Sequence, residues 1–231
     1  MTRGACLAAI LALGGCSGLT EEGGVAGLEL LLPRPAEVEV GQTIVLEARA
    51  LDGSGNAVDV PITWLTPDTT IIVSPDGQLT GRTGGSTGRV QAQAGALASD
   101  FVSFAVRPRP DTLELSPDSV LTIAPGETSS ASLVATLRSF APPQALAGRT
   151  IVYAVTTPTF ADPADRTVEL PGGVLTLAAT TGSDGTPVAP VTLSRVAGRT
   201  APANAVVTVS AVTATGLPVP GSGQRFRVEL Q

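Results

Sequence analysis

The sequence predicts an all-β chain in which two sheet-built sandwiches follow a short apolar leader. Three observations carry that expectation. Apolar and polar residues alternate in short runs, the runs are separated by turns rich in Gly, Pro, Asp and Asn, and no long stretch keeps a helical period. Glycine (26) and proline (19) are abundant among the 231 residues, which suits tight turns better than helices. The length is that of one or two domains.

The leader is residues 1–15. Arg3 gives its start a positive charge, and Ala5 to Leu13 is an unbroken apolar run that ends in Gly14, Gly15 and Cys16. A positive start, a short apolar stretch and small residues at the cut are the anatomy of a secretory signal. As a helix the run would be about 14 Å long, against the roughly 30 Å of bilayer hydrocarbon, so it is too short to span a membrane. The order Leu13-Gly14-Gly15-Cys16 resembles the lipobox of bacterial lipoproteins. That resemblance implies cleavage before Cys16, attachment of diacylglycerol and an acyl chain to it, and stable membrane anchoring through several chains. Ser17 after the cysteine, where aspartate would mark retention, implies the outer membrane of a diderm bacterium. The membrane is thus one expected partner, reached through the lipid.

Residues 16–26 form the lipidated cysteine and a tether. Ser17 to Ala26 is short, polar and glycine-bearing, and reaches at most about 33 Å when extended.

The first module is predicted over 27–107. Leu28, Leu30 and Leu32 alternate along a strand that Pro33 ends. Val38 and Val40 follow, then Gly41-Gln42-Thr43. Ile44, Leu46, Ala48 and Ala50 face one way, with Glu47 and Arg49 opposite, the pattern of one half-buried strand. Asp52 to Asn56 is a hairpin turn by composition. Ile62 and Trp64 point inward around Thr63, and Trp64 is read as a core residue. Ser74 to Gly77 turns the chain. Val90, Ala92 and Ala94, then Val102, Phe104 and Val106, supply further inward rows.

Pro108-Arg109-Pro110 is the linker, a stiff extended connector that is expected to set the modules end to end. The second module is predicted over 111–231. Leu113 and Leu115 begin it and Val120 to Ile123 continue; Leu133, Ala135 and Leu137 alternate with polar residues, Val174 to Ala179 reads as a strand, and the inward rows are Ile151, Tyr153 and Val155; Val191 and Leu193; Val207, Val209 and Ala211; and Phe226, Val228 and Leu230. Phe140 to Ala147 reads as a proline-interrupted loop, and Ser183-Asp184-Gly185 as a hairpin turn.

Short alternating strands with one mid-domain tryptophan are the pattern of a two-sheet sandwich. In the first module the landmarks are Val40 to Thr43, Trp64, Gly77 to Gly81, Val90 to Ala94 and Phe104 to Val106. Their order resembles the bacterial Ig-like group 2 (BIG2) domain, over about 80 residues. Arg82 to Gly88 is longer and richer in glycine than that pattern. In the second module Gly148 to Tyr153, Thr181 to Thr186 and Val207 to Ala211 resemble the group 1, invasin-type Ig domain. Pro187 and Pro190 depart from it and fit an edge strand or a bulge. The resemblance implies two tandem immunoglobulin-like β-sandwiches.

Composition excludes several functions. The chain has no His and no Lys, and its two cysteines are Cys6 in the leader and Cys16. Ser-His-Asp and Cys-His sites, Schiff-base lysines and most transition-metal ligation fall away. Carboxylate pairs remain, and the candidate pair is Asp162 and Asp165, in one proline-bearing loop. A glycosidase needs its pair across a cleft lined with sugar-stacking aromatics, and aromatics are 3% of the chain. The expectation is no catalytic residue, no cofactor and no resident metal. The net charge of −6 comes without a basic patch, so nucleic acid is not expected as a partner. Asp52 to Asn56 lacks the EF-hand spacing and reads as an Asx turn. Some Ig-like adhesins hold calcium between modules, and that likeness would draw on Asp100, Asp111 and Asp118. Phe101, Phe140 and Phe160 are the aromatics left for a sugar surface.

The resulting expectation is a non-catalytic, lipid-anchored protein of the bacterial cell envelope, whose Ig-like modules mediate surface recognition or adhesion. Its partner would be another protein or an envelope polymer. A periplasm-facing scaffold lipoprotein is the alternative, and a polysaccharide-binding module the third reading.

Overall fold

The computed structural model of the chain describes residues 24–116 and 118–231. The leader, the lipobox Leu13 to Gly15, Cys16 and the tether up to residue 23 lie outside the described residues. Among the described residues, regular structure is strand, with a 3₁₀ turn at Pro163–Asp165. The fold is all-β, with immunoglobulin-like sandwiches built around two hydrophobic cores.

The first core is enclosed by β1 (Gly27–Leu31), β2 (Glu37–Glu39), β3 (Thr43–Val45), β4 (Glu47–Leu51), β5 (Ala57–Val58), β6 (Thr63–Leu65), β7 (Ile71–Val73), β8 (Gln78–Gly81), β9 (Ser86–Ala94), β10 (Leu97–Ala98) and β11 (Val102–Arg107). They form three sheets: β1-β4-β5, β3-β8-β7, and β10-β9-β11-β2 with β6 also on β9. The β2–β11 pair is parallel and the others antiparallel. Val38, Leu46, Trp64, Ile71, Leu79, Val90, Phe104 and Val106 meet in the middle.

The expected strand from Ile44 to Ala50 keeps its alternation but is divided at Leu46. Thr43–Val45 pairs with β8, whereas Glu47–Leu51 pairs with β1. The Leu46 N–H donates to Gly77 C=O at 2.8 Å while its side chain is buried. The segment thus crosses from one sheet to the other with Leu46 buried and its N–H paired.

The second core lies among β12 (Thr112–Leu115), β13 (Val120–Ile123), β14 (Ala135–Phe140), β15 (Pro143–Ala145), β16 (Thr150–Thr157), β17 (Val168–Glu169), β18 (Thr176–Thr180), β19 (Ser194–Arg195), β20 (Asn204–Ser210) and β21 (Gln224–Leu230). A five-stranded sheet, β13-β21-β20-β16-β18, lies opposite β12-β14-β15, with the pair β17-β19 at the side. Ile151, Tyr153, Val207, Val209, Phe226 and Val228, placed inward by their period of two, are all fully buried.

Three expectations for this half are corrected. Phe140 to Ala147 is not a plain loop, because Pro143–Ala145 folds back as β15 with Phe140 opposite Pro143; proline is tolerated there because β15 is an edge. Val191 and Leu193 are buried but belong to no strand, since Pro187 and Pro190 remove two ladder donors just before them. Their carbonyls accept instead from the backbone of a distant segment, Leu133 N–H and Ser130 N–H. Phe160 packs against the core and does not stand on an outer face.

Candidate functional site at the junction of the two cores

Glu39 ends β2, between Val38 and Val40. As the middle of a Val-Glu-Val alternation it belongs on a solvent face, yet it is 3% exposed. The residues that cover it come from the other half of the chain. Arg149, just before β16, brings Nη1 to 2.9 Å from Glu39 Oε2. The backbone N–H of Ala214, in the turn between β20 and β21, donates to Oε1 at 3.1 Å. Oε2 has no well-aligned hydrogen bond, so its contact with Arg149 is an ion pair more than a directed bond.

The Val40 to Thr43 step positions this carboxylate. Glu39 N–H donates to the Gln42 side-chain carbonyl at 2.8 Å, Gln42 N–H to Glu39 C=O and Gly41 N–H to Gly81 C=O. Parallel pairing of Glu39 with Arg107 fixes the same end of β2. Arg107 in turn reaches Glu37 at 2.9 Å. Arg149 adds a bond from Nη2 to the carbonyl of Pro108, at 2.6 Å. Burial pulls the Arg149 guanidinium below its ordinary pKa while Glu39 opposes the shift, and the group stays cationic in neutral water.

The linker is therefore held at several points. Pro110 is buried. Asp111 accepts from Phe140 N–H at 2.8 Å and from Arg109 Nε at 3.0 Å. Burial pushes its pKa up, but these donors outweigh burial and hold the carboxyl below the usual carboxylate range. The glycine-rich segment Arg82 to Gly88 has its explanation here as well. A Cβ on Gly84 would lie 2.9 Å from Pro108 Cα and 3.2 Å from the Ala141 carbonyl oxygen, so only glycine lets this loop approach the linker so closely.

Between these contacts opens a cleft of about 300 Å³, lined by Glu39, Gln42, Arg109, Asp111, Thr213 and Leu217 among others. Its two carboxylates, Glu39 and Asp111, are each paired with an arginine, Arg149 and Arg109, and Leu217 on its rim is 65% exposed. Nothing in the lining is a nucleophile poised beside a base.

The other sequence candidates fall elsewhere. Asp52 accepts from Ser54 N–H and Asn56 N–H, which is an Asx turn. Asp162 caps the 3₁₀ turn through Ala164 N–H, and Asp165 faces Arg199. Phe101 is exposed but lies under the Arg89 guanidinium, 5.5 Å from the ring centre, while Arg89 is also held by both oxygens of Asp68. Phe140 is 63% exposed. Among the described residues, no three or more His, Cys, Asp or Glu side chains gather as for a metal ion. The pair Glu39 and Arg149 was missed because the only local signal, a glutamate between two valines, is also what an ordinary strand face shows.

No protein-family model matches the chain, and no curated protein matches it. Among solved structures it is similar to the adhesin InvE of Yersinia pseudotuberculosis, at 13% identity over 88% of this chain and 58% of that one, with a TM-score of 0.41. It is similar to domains 4 and 5 of the S-layer protein SbsC, at 17% identity over 89% and 98% of the two chains, TM-score 0.33. The fibronectin(III)-like modules of Clostridium thermocellum CbhA match at 16% identity over 88% and 93%, TM-score 0.35. The chain thus spans little more than half the length of InvE. These scores describe a general likeness, and the fold follows from the strand pairing and the two cores described above.

Proposed function

We propose that this chain is a non-catalytic, lipid-anchored protein of the bacterial cell envelope, whose two immunoglobulin-like modules act in surface recognition or adhesion. The first module is read as group 2-like (BIG2) and the second as closer to the invasin type. The observation that carries the reading is the buried Glu39–Arg149 pair, which couples the two cores and frames a cleft whose carboxylates are paired with arginines and whose rim carries the exposed Leu217. Such an arrangement suits holding a binding surface in a fixed orientation. Removing one member would leave the other charge buried and unpaired.

Anchoring rests on Leu13-Gly14-Gly15-Cys16, with Cys16 as the lipid site and the outer membrane as its destination. The partner is a protein or an envelope polymer. Protease shaving of intact and lysed cells, with a Cys16→Ser variant beside the wild type, tests the reading. Digestion on intact cells supports surface recognition; protection until lysis supports the periplasm-facing scaffold. A Cys16→Ser protein that stays membrane-bound with unchanged mass overturns the anchor.

A further inference from the structure

Both halves of the chain are closed in the same way. Their opening strands, β1 and β12, pair antiparallel with β4 and β14. The chain then passes to another sheet, where β2 pairs with β11 and β13 with β21, the last strand of each half. These two pairings are parallel. Glu37 to Glu39 lies beside Ala105 to Arg107, and Val120 to Ile123 beside Arg227 to Leu230.

Orientation decides how such a pair meets tension. When a module is pulled from its two ends, its early strand is drawn toward that strand's own N-terminal end. Its last strand is drawn toward its own C-terminal end. Two parallel neighbours are thus drawn in opposite directions along one axis, and all the bonds between them are loaded together. In an antiparallel pair both loaded ends lie on the same side, and the bonds open one after another. The bonds of a parallel pair are evenly spaced and slanted, so the load is shared. Forced unfolding is governed by the unfolding barrier and not by equilibrium stability.

Both parallel ladders are extended at their ends. Ala105 N–H donates to Ala36 C=O and Val40 N–H to Arg107 C=O, each at 3.0 Å. Arg227 N–H donates to Ser119 C=O at 2.8 Å, and Gln231 N–H to Ile123 C=O at 3.1 Å. Side chains brace the same pairs. Arg107 Nη1 reaches Glu37 Oε2 across the first at 2.9 Å. Arg195 donates from β19 through Nη2 to both Ile123 C=O and Gln231 C=O, which ties together the ends of β13 and β21. Should tension strip β1 or β12, these pairs still hold.

We propose that the chain is a load-bearing strut, in which tension between its N-terminal side and Gln231 is carried in shear by β2–β11 and β13–β21 in series. Pro108-Arg109-Pro110 passes the load directly from β11 to β12. The inference goes beyond surface recognition and stands whatever the chain binds and however it is anchored.

Moving one point of attachment tests it. The full-length chain carrying Cys6→Ser is made without lipidation, so that Cys16 holds one handle in optical tweezers. The second handle is Gln231→Cys in one protein and Thr215→Cys in the other, both at exposed positions. Thr215 lies in the turn before β21, at the end of the ladder where Val120 faces Arg227. Pulling there peels β13 from β21 instead of shearing it, while the first half is loaded as before. The step that releases the longer chain marks the second half, 111–231 against 27–107. Its force should fall several-fold with the handle at 215, and the first-half step should stay in place. Urea unfolding followed by Tyr153 absorbance should coincide for the two proteins, so a difference in force reports direction and not stability. An unchanged second step, or an equal fall in the first, overturns the proposal.

Proline separates the ladder from the strand. Ser119 and Ile123 accept from the β21 side, so Leu121 also bonds inward, and Thr122 N–H turns to the open edge of β13. With handles at 16 and 231, Leu121→Pro should lower the second step well below Leu121→Ala, which removes the side chain alone, and Thr122→Pro should leave it near its original force. Equal losses from the two prolines overturn the shear-loaded pair.

Discussion

The two halves of the chain use the same alternation to reach different kinds of sandwich. Around the second core, strands of up to eight residues run side by side in one five-stranded sheet, and twenty buried apolar residues form one cluster. Around the first, many strands are two or three residues long, and nine buried residues form the cluster. What backbone pairing leaves undone there is taken up by side chains. Asp68 accepts from both Arg89 N–H and its guanidinium, and Thr66 and Thr70 hydroxyls donate to carbonyls of β9. A core assembled from fragments has less apolar area to lose before it unfolds. The first half is therefore expected to be the weaker one.

The chain carries probes for this comparison. Its one tryptophan, Trp64, is in the first core and its one tyrosine, Tyr153, in the second. Urea unfolding followed by Trp64 fluorescence and Tyr153 absorbance should show the tryptophan transition first. The largest effect is expected from Phe104→Ala. Phe104 is fully buried in the smaller cluster, and truncation costs about 3–5 kcal/mol. The tryptophan transition should move to much lower urea while the tyrosine transition stays close to its place. A concerted shift of both would mean that the cores unfold as one.

Arg149→Met tests the tie between the halves. It strands Glu39, a carboxylate with 3% exposure, at an expected cost of about 3 kcal/mol. Both probes should respond, because the pair belongs to both halves. Adding Glu39→Met should recover most of the loss, since an apolar pair of similar volume is often as stable as the ion pair it replaces. Failure of the second change to recover anything would show that the bond from Arg149 to Pro108 matters more than the charge pair. Gly84→Val acts on the same junction through volume. Its Cβ would meet the Pro108 and Ala141 backbone, at a cost of about 1–3 kcal/mol, and X-ray scattering should show the two halves set further apart.

The sequence made the second half more legible than the first. The inward rows from Ile151 to Val155 and from Val207 to Ala211 are long enough that a period of two fixes each face, and Tyr153 is buried as expected. Ile44 to Ala50 shows the same alternation just as clearly, but alternation reports which way side chains point and is silent on which sheet bonds the backbone. Its division at Leu46 depends on the distant Gly77 carbonyl. Glu39 was illegible for a related reason: what buries it is Arg149 and the Ala214 turn, far along the chain. Pro187 and Pro190 warned of a break, and the structure puts buried but strandless residues just after them.

Tyr153→Phe should have the smallest effect at neutral pH and the most specific one in alkali. The phenol is fully buried, and its hydroxyl lies near the Ala135 backbone without a well-formed hydrogen bond. Removing an unsatisfied buried hydroxyl leaves nothing unpaired, so stability at pH 7 should stay the same or rise slightly. Burial raises the Tyr153 pKa above its ordinary value. Below about pH 10 both folded and unfolded chains keep the proton and the group has no pH dependence. Above that the unfolded chain releases a proton that the folded chain retains, so stability falls by up to about 1.4 kcal/mol per pH unit. The chain has no lysine and no second tyrosine, so little else titrates between there and the arginines. Wild type should lose the tyrosine-core transition progressively from pH 10 upward, and Tyr153→Phe should not; parallel losses in the two proteins would mean that water reaches the phenol in the folded state.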